Sequence, residues 1–372
     1  MNNFVTKCIH KLLIFKKKLI LNKSDKNKHV LISYVLFPPS PFNFDFFFNI
    51  SHNRYLKSYL MAETLIEYGY TVHIYDYNDL DIDYSYNYEL FIGHNYTFHD
   101  ISRKLRKSCK KILLTTGSSP QFDNLSLEAR QNELNHRLGI NEVFFIPNSN
   151  IEYVKKNIDI ADEFFMIGNK FVSDTWSIDN SKRIIHFNNV NNIKFVKKNT
   201  RTNNFIYLSS VGQLRRGLDL VIDTFNGRSE ILYICGNYNE DVFLKHYSTV
   251  ISSSPNIRLM GYVDQTSSKF MEMVYNSDFA ILPSCSEGQS GSILTLMSFG
   301  LLPVITDNVG FSNYKDYGFR IPNLSLETIK EVVDYCIQQS DTIIDIKRDC
   351  LLNQATYYTK NAFKSNFSKI LN

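Results

Sequence analysis

The sequence predicts an α/β chain built as two domains, and three observations carry that reading. A chain of 372 residues is too long for one ordinary core, and its 44% hydrophobic content can bury two. From His29 onward, short apolar runs rich in Val, Ile, Phe and Tyr alternate with amphipathic stretches, the pattern of a parallel sheet covered by helices. The alternation is interrupted over 189–204 by an Asn- and Lys-rich stretch without apolar periodicity, which reads as an interdomain linker. The expected divisions are a basic leader over 1–28, a first domain over 29–200, a second over 201–354 and a C-terminal helix over 355–372.

The leader holds eight lysines against Asp25, so it more than accounts for the net charge of +4, and the rest of the chain is slightly acidic. On a helical wheel Lys7, Lys11 and Lys18 share one face while Val5, Ile9, Leu12, Leu13, Leu19 and Ile20 gather opposite. The apolar run is too short and interrupted to span a bilayer, and no small-residue cleavage site follows it. Two readings stay open: a helix lying on an anionic membrane surface through residues 3–21, or a leader docked on its own protein. Nucleic acid is set aside, because the segment lacks arginines and interleaved stacking aromatics.

In the first domain the expected strands are 30–36, 71–77, 90–93, 111–116 and 163–167. A helix over 51–68 follows the first, with Leu56, Leu60, Ala62, Leu65 and Ile66 as its buried stripe and Gly69 as its stop. The loop before it, 38–50, is unusually aromatic and borders any cleft beyond the carboxyl ends of the strands. His52, at that helix start, is a candidate for orienting an acceptor or a phosphate, with a packing or capping role as the plainer alternative. Gly117, in the run Thr115-Thr116-Gly117-Ser118-Ser119 after the fourth strand, faces the same cleft and makes the turn there. Arg130, Glu133 and Arg137 fall at i, i+3 and i+7 on one helix and read as a solvated ion-pair face.

In the second domain the strands are expected at 205–209, 231–235, 257–260, 279–283 and 302–306, with one helix between each pair. The stretch 344–371 is helical in pattern. The six cysteines are scattered, with no CxxC pair and no His cluster at zinc spacing, and read as reduced, mostly buried thiols.

Two segments carry chemistry. The first is Pro283-Ser284-Cys285-Ser286-Glu287-Gly288-Gln289-Ser290-Gly291-Ser292 before an apolar helix pattern. Small residues let the backbone approach a ligand, and the N–H groups of a helix start suit phosphate oxygens. Glu287 can accept bonds from several sugar hydroxyls, whereas Ser290 and Ser292 read equally as helix caps. The second is Ser209-Ser210-Val211-Gly212-Gln213-Leu214-Arg215-Arg216-Gly217, where two cations stand at a glycine-flanked helix start and can meet a diphosphate. Of the two, Arg216 is preferred, because it immediately precedes Gly217.

These segments, with Ile234-Cys235-Gly236 and Gly261-Tyr262-Val263 between them, resemble the C-terminal domain of family four retaining glycosyltransferases over roughly residues 205–310. The resemblance implies a GT-B fold: two Rossmann-like domains facing across a cleft, the C-terminal helix crossing back to the first. It implies a nucleotide-sugar donor, UDP- or GDP-linked, held mainly by the second domain, a glycan or lipid-linked acceptor on the first, and no cofactor or metal. Arg216 corresponds to the family's cation before the helix glycine, and Glu287 to the first glutamate of its Glu, seven residues, Glu motif. Gly212, Arg215, Gly236, Val263, Ser290, Gly291 and Ser292 fall around the donor.

Two departures stand out. Thr295 occupies the place of the second glutamate, which in the family holds the nucleotide ribose, and with the backbone near Val263 it would hold the nucleoside through one or two uncharged hydrogen bonds; the first loop lacks the family's pair of glycines. Cys285 to Ser292, with His52-Asn53-Arg54 and Thr116-Gly117-Ser118, resemble a branch among bacterial surface-polysaccharide enzymes such as those of capsule or lipopolysaccharide. The implied activity is hexosyl transfer to a glycan hydroxyl with retention, at a cytoplasmic location or peripherally on the inner membrane face. The alternatives are a non-catalytic partner of the same fold that binds a glycan or another transferase, and a sugar-nucleotide epimerase.

Overall fold

The computed structural model describes residues 18–21, 28–37, 53–148, 151–191, 193–209, 211–236, 238 and 240–372. Apolar alternation produces two sheets. The first has seven strands: β1 (Lys18–Leu21), β2 (His29–Tyr34), β3 (Thr71–Asp76), β4 (Tyr88–Gly93), β5 (Lys110–Thr115), β6 (Glu163–Ile167) and β7 (Arg183–Phe187). Their spatial order is β1-β3-β2-β4-β5-β6-β7, all parallel except β1. The second has six parallel strands: β8 (Phe205–Leu208), β9 (Leu232–Cys235), β10 (Ile257–Gly261), β11 (Phe279–Leu282), β12 (Leu302–Ile305) and β13 (Phe319–Arg320). Their order is β10-β9-β8-β11-β12-β13. Their near-continuous apolar runs, such as Phe279–Leu282, are buried, as parallel strands covered on both faces require.

Each sheet reverses its winding once. In the first the chain runs from β2 to β3 and then crosses to β4; in the second it runs from β8 through β9 to β10 and crosses to β11. The crevice between β2 and β4, and that between β8 and β11, are therefore the switch points where ligands settle in open α/β sheets.

Several expectations change. Lys18–Leu21 is a strand antiparallel to β3, not part of a helix, and Leu19 is buried in the first core. Pairing there covers what would otherwise be an open sheet edge. Residues 1–17 and 22–27, the greater part of the basic leader and of the 3–21 membrane candidate, lie outside the described residues, as do the loop 38–50 and His52. The stretch 189–204 runs from β7 to β8 and is partly buried on the way. Val190, Phe195 and Lys198 are buried, Asn191 N–H donates to Tyr358 O at 2.9 Å and Val196 N–H to Ser298 O at 2.9 Å. Lys198 reaches the buried Asp278, which Arg348 also grips at 2.7 Å. Two short helices, Asp241–His246 and Ser248–Ser253, rather than one, link β9 to β10.

The C-terminal stretch is broken: helix Asp341–Gln354, a 3-10 turn Ala355–Tyr358, helix Lys360–Ser368 and a 3-10 turn Lys369–Leu371. From the second of these helices Phe363 and Phe367 enter the first sheet's core against Phe165 and Phe187. Cys109, Cys235, Cys285 and Cys336 are buried free thiols and Cys350 is half-buried, while Cys8 lies outside the described residues.

Candidate functional site

The site lies at the switch point of the second sheet. The turn after β8 and the loop after β11 meet because Gly217 permits it: at φ +67 it starts the Leu218–Phe225 helix, and a β-carbon there would stand 2.5 Å from Pro283 O. Cys285 N–H donates to Arg215 O at 2.9 Å, stitching the two segments. Burial pushes the Cys285 thiol up to about 12, so it is an inert core thiol rather than a nucleophile.

Arg216 and Glu287 come together across this junction. Arg216 Nε donates to Glu287 Oε2 at 2.8 Å, and its Nη1 donates to Ser209 Oγ at 2.9 Å and to Val211 O. Arg216 Nη2 and Glu287 Oε1 have no hydrogen-bond partner among the described residues. Burial disfavours the guanidinium charge, but Glu287 beside it outweighs this and holds Arg216 protonated above its ordinary range. The pair thus presents a fixed cation edge and a fixed carboxylate oxygen side by side.

Glu240 was not anticipated from the sequence. Its carboxylate accepts Gln213 N–H at 2.8 Å and Leu214 N–H at 3.3 Å, fixing the turn that carries Arg216. No sequence motif marks it. Gly212 opens that turn at φ +71, and a β-carbon there would meet only the Arg215 side chain, at 3.9 Å. Arg215 points elsewhere, to Asp123 of the first unit at 2.9 Å.

The Glu287 loop is also clamped by the first unit. Ser118 donates twice to Glu287 O, from N–H at 3.1 Å and from Oγ at 2.9 Å. A β-carbon on Gly288 would lie 2.2 Å from Thr116 O, and Gly117 sits against Gly288. Gln289 accepts Asn189 N–H and donates to Asn188 Oδ1 at 2.8 Å. The hydroxyl-rich, glycine-bearing character of 115–119 was a usable signal for this contact; nothing in the sequence tied Gln289 to Asn188 and Asn189.

The Gly291–Ser298 helix begins at the cleft. Ser290 is its cap, accepting Ile293 N–H at 3.5 Å, and its hydroxyl lies 3.0 Å from Ser292 Oγ. Asn53, first residue of the Asn53–Glu67 helix, faces Gly291 across the units: a β-carbon on Gly291 would be 3.6 Å from Asn53 Nδ2. Two helix starts therefore meet near the Arg216–Glu287 pair. Thr295 is buried within its helix at 6% exposure. The Val263 side chain packs into the second core, and Gly236 N–H is taken up by Gly261 O at 2.8 Å.

Arg130, Glu133 and Arg137 are not a solvated face. Arg130 Nη2 donates to the wholly buried Asp219 at 2.6 Å, Arg137 pairs with Asp219 and Asp223, and both arginines hold Glu133. The three side chains do share one helix face, and that face meets the second unit rather than water.

Residues 202–338 match the family Glycosyl transferases group 1. No curated protein sequence matches the chain. Among solved structures, sucrose-phosphate synthase from Thermosynechococcus elongatus aligns over 92% of this chain and 98% of its own, with TM-score 0.64 and 9% identity. Pneumococcal O-GlcNAc transferase GtfA, in complex with UDP and GlcNAc, aligns over 86% of this chain and 59% of its own, with TM-score 0.54 and 13% identity. An S. aureus TarM variant, in complex with fondaparinux, alpha-GlcNAc-glycerol and UDP, aligns over 76% and 55%, with TM-score 0.54 and 13% identity. This chain spans little more than half the length of the last two. At such identities the likeness is one of fold.

Proposed function

On the premise that this is a GT-B chain with a glycosyl transferases group 1 domain over residues 202–338, we propose that it moves a sugar from a nucleotide-diphosphate donor to a glycan hydroxyl. The observation that carries the reading is the Arg216–Glu287 pair at the switch point, each partner keeping one polar group open. Arg216 Nη2 meets a diphosphate oxygen, and the Gly291–Ser298 helix start adds N–H groups to the same anion, so charge developing on the departing diphosphate is met by groups already in place. Glu287 Oε1 accepts from the donor sugar's hydroxyls and orients its anomeric carbon. This scheme needs no metal, since Arg216 and the helix start supply the neutralising charge.

The finer reading is transfer with retention to a growing, lipid-linked surface polysaccharide, on the cytoplasmic face of a membrane. Retention and the acceptor follow from the resemblance of the two loops to family four enzymes. No helix of the described residues is long and apolar enough to cross a membrane. Thr295, buried and uncharged, leaves the ribose to other groups, and this favours the non-catalytic partner as the second reading.

Incubating the full chain with a panel of UDP- and GDP-sugars and a lipid-linked acceptor separates the two. Glycosylated product that disappears in Glu287→Ala is the expected result. Nucleotide binding without turnover across the panel would establish the non-catalytic reading instead.

A further inference from the structure

The first sheet has its own switch point, between β2 and β4, and a second cluster of polar side chains stands there. Lys57 lies one helical turn beyond Asn53 on the same helix face, so it sits behind the residue that reaches Gly291. It is 7% exposed, and no hydrogen bond or ion pair reaches its ammonium among the described residues. A buried ammonium without a carboxylate is costly unless something else supplies the charge.

His94 stands directly after β4, at the same β2–β4 switch point. Its Nδ1 lies 2.9 Å from Leu114 O, and a carbonyl can only accept, so Nδ1 carries the hydrogen and Nε2 has the lone pair when the ring is neutral. Tyr34 and Tyr77 hold the ring edge-on, with centroids 5.6 and 6.0 Å away. Burial, and the nearby Lys57 charge, lower the His94 pKa and keep the ring neutral, while burial alone lowers that of Lys57 to about 8. At neutral pH the cluster therefore offers one cation and one hydrogen-bond acceptor.

We infer that Lys57 and His94 form an acceptor subsite that takes an anionic phosphate beside a free hydroxyl, Lys57 pairing with the phosphate and His94 Nε2 accepting from the hydroxyl. The inference rests on the transferase reading above and adds the chemical class of the acceptor to it. The phosphate belongs to the acceptor rather than to the donor, because the donor diphosphate has Arg216 and the Gly291–Ser298 helix start on the opposite unit. A neutral glycan would leave Lys57 unpaired in the closed complex, and the subsite would reject it on that ground.

The test is calorimetric titration of glycerol 3-phosphate, with glycerol as control, into the full chain saturated with whichever of UDP or GDP binds, so that the donor phosphate site is filled. Wild type is expected to bind glycerol 3-phosphate and not glycerol. Lys57→Met should weaken that binding at least ~10-fold, and Lys57→Arg should restore part of it. Nucleotide titration and melting of each variant check that it is folded. Vesicles of phosphatidylcholine with and without phosphatidic acid tell a bilayer-held phosphate from a soluble one; binding to either supports the subsite only where Lys57→Met weakens it, since the lysine-rich leader also attracts an anionic surface. Equal binding by wild type and Lys57→Met, or binding to none of these phosphates while nucleotide still binds, would overturn this inference and leave the transferase reading standing. Loss of nucleotide binding in wild type strikes that reading instead.

Discussion

Arg216 Nε and Glu287 Oε2 lie 2.8 Å apart, joining the turn after β8 to the loop after β11 at the switch point of the second sheet. Each keeps one polar group without a hydrogen-bond partner among the described residues, so the pair is at once a structural clasp and a two-sided binding element.

Breaking the clasp from either side should cost activity more than stability. Glu287→Gln keeps the shape but loses the charge, and a drop in kcat/KM of about 100-fold is expected, the scale of one misdirected electrostatic group. Arg216→Lys retains charge without the planar fork and should fall similarly. Steady-state rates with melting curves beside them check this; rates near wild type in both variants would remove the pair from the reaction.

Gly217 and Gly212 both have positive φ, yet they should respond differently to alanine. At Gly212 a β-carbon would make only an ordinary 3.9 Å contact with the Arg215 side chain, so the cost is conformational strain, about 1 kcal/mol. At Gly217 the new β-carbon would strike Pro283 O, and about 3 kcal/mol or more is expected, with loss of the turn that aims Arg216. Urea unfolding of the two variants gives the comparison, and equal costs would contradict the packing described.

The buried link between the units should behave as a partly uncompensated charge when halved. Asp219→Asn removes the wholly buried carboxylate that Arg130 and Arg137 share, leaving them Glu133 and, for Arg137, Asp223, and should destabilise by up to about 3 kcal/mol. Adding Arg130→Met to Asp219→Asn should recover part of that loss, because a shape-filling apolar group replaces a buried cation that has lost one of its two carboxylates. A double variant worse than the sum of the singles would argue against a shared interaction.

Lys57 gives a pH signature. Its pKa is lowered from 10.5 to about 8 by burial, so the folded state binds its proton less tightly than the unfolded state. The resulting penalty is fully present below about pH 8 and is relieved as pH rises from there towards 10.5. Wild type should therefore gain stability relative to Lys57→Met across that window, and the variant should be the more stable at pH 7. Parallel stability curves for the two proteins would show that Lys57 finds a charge partner in the fold.

How far the sequence reveals this molecule depends on whether the signal is local. Strand cores such as 279–282 and the helix start at Gly291 are written in consecutive residues, and so is the closeness of Arg216 to a glycine turn. The strand β7, Arg183–Phe187, escaped because Arg183 and His186 interrupt its apolar run. Lys18–Leu21 looked helical because four residues carry no decisive period, and its strand state comes from the open edge of β3. Contacts that join distant segments, such as Glu240 to the Gln213 N–H, Gln289 to Asn189 and Arg130 to Asp219, leave no pattern in a single sequence. Arg130, Glu133 and Arg137 show the limit clearly, since the same i, i+3, i+7 spacing serves a solvated face and a buried joint equally well.

The most direct test of the central claim is calorimetric titration of UDP and GDP into wild type and Arg216→Ala. The account predicts that one nucleotide binds wild type and that removing the guanidinium weakens it at least ~10-fold, the worth of a charge-assisted hydrogen bond. Absence of binding by both nucleotides, or undiminished affinity in Arg216→Ala, would contradict a donor site at Arg216 and Glu287.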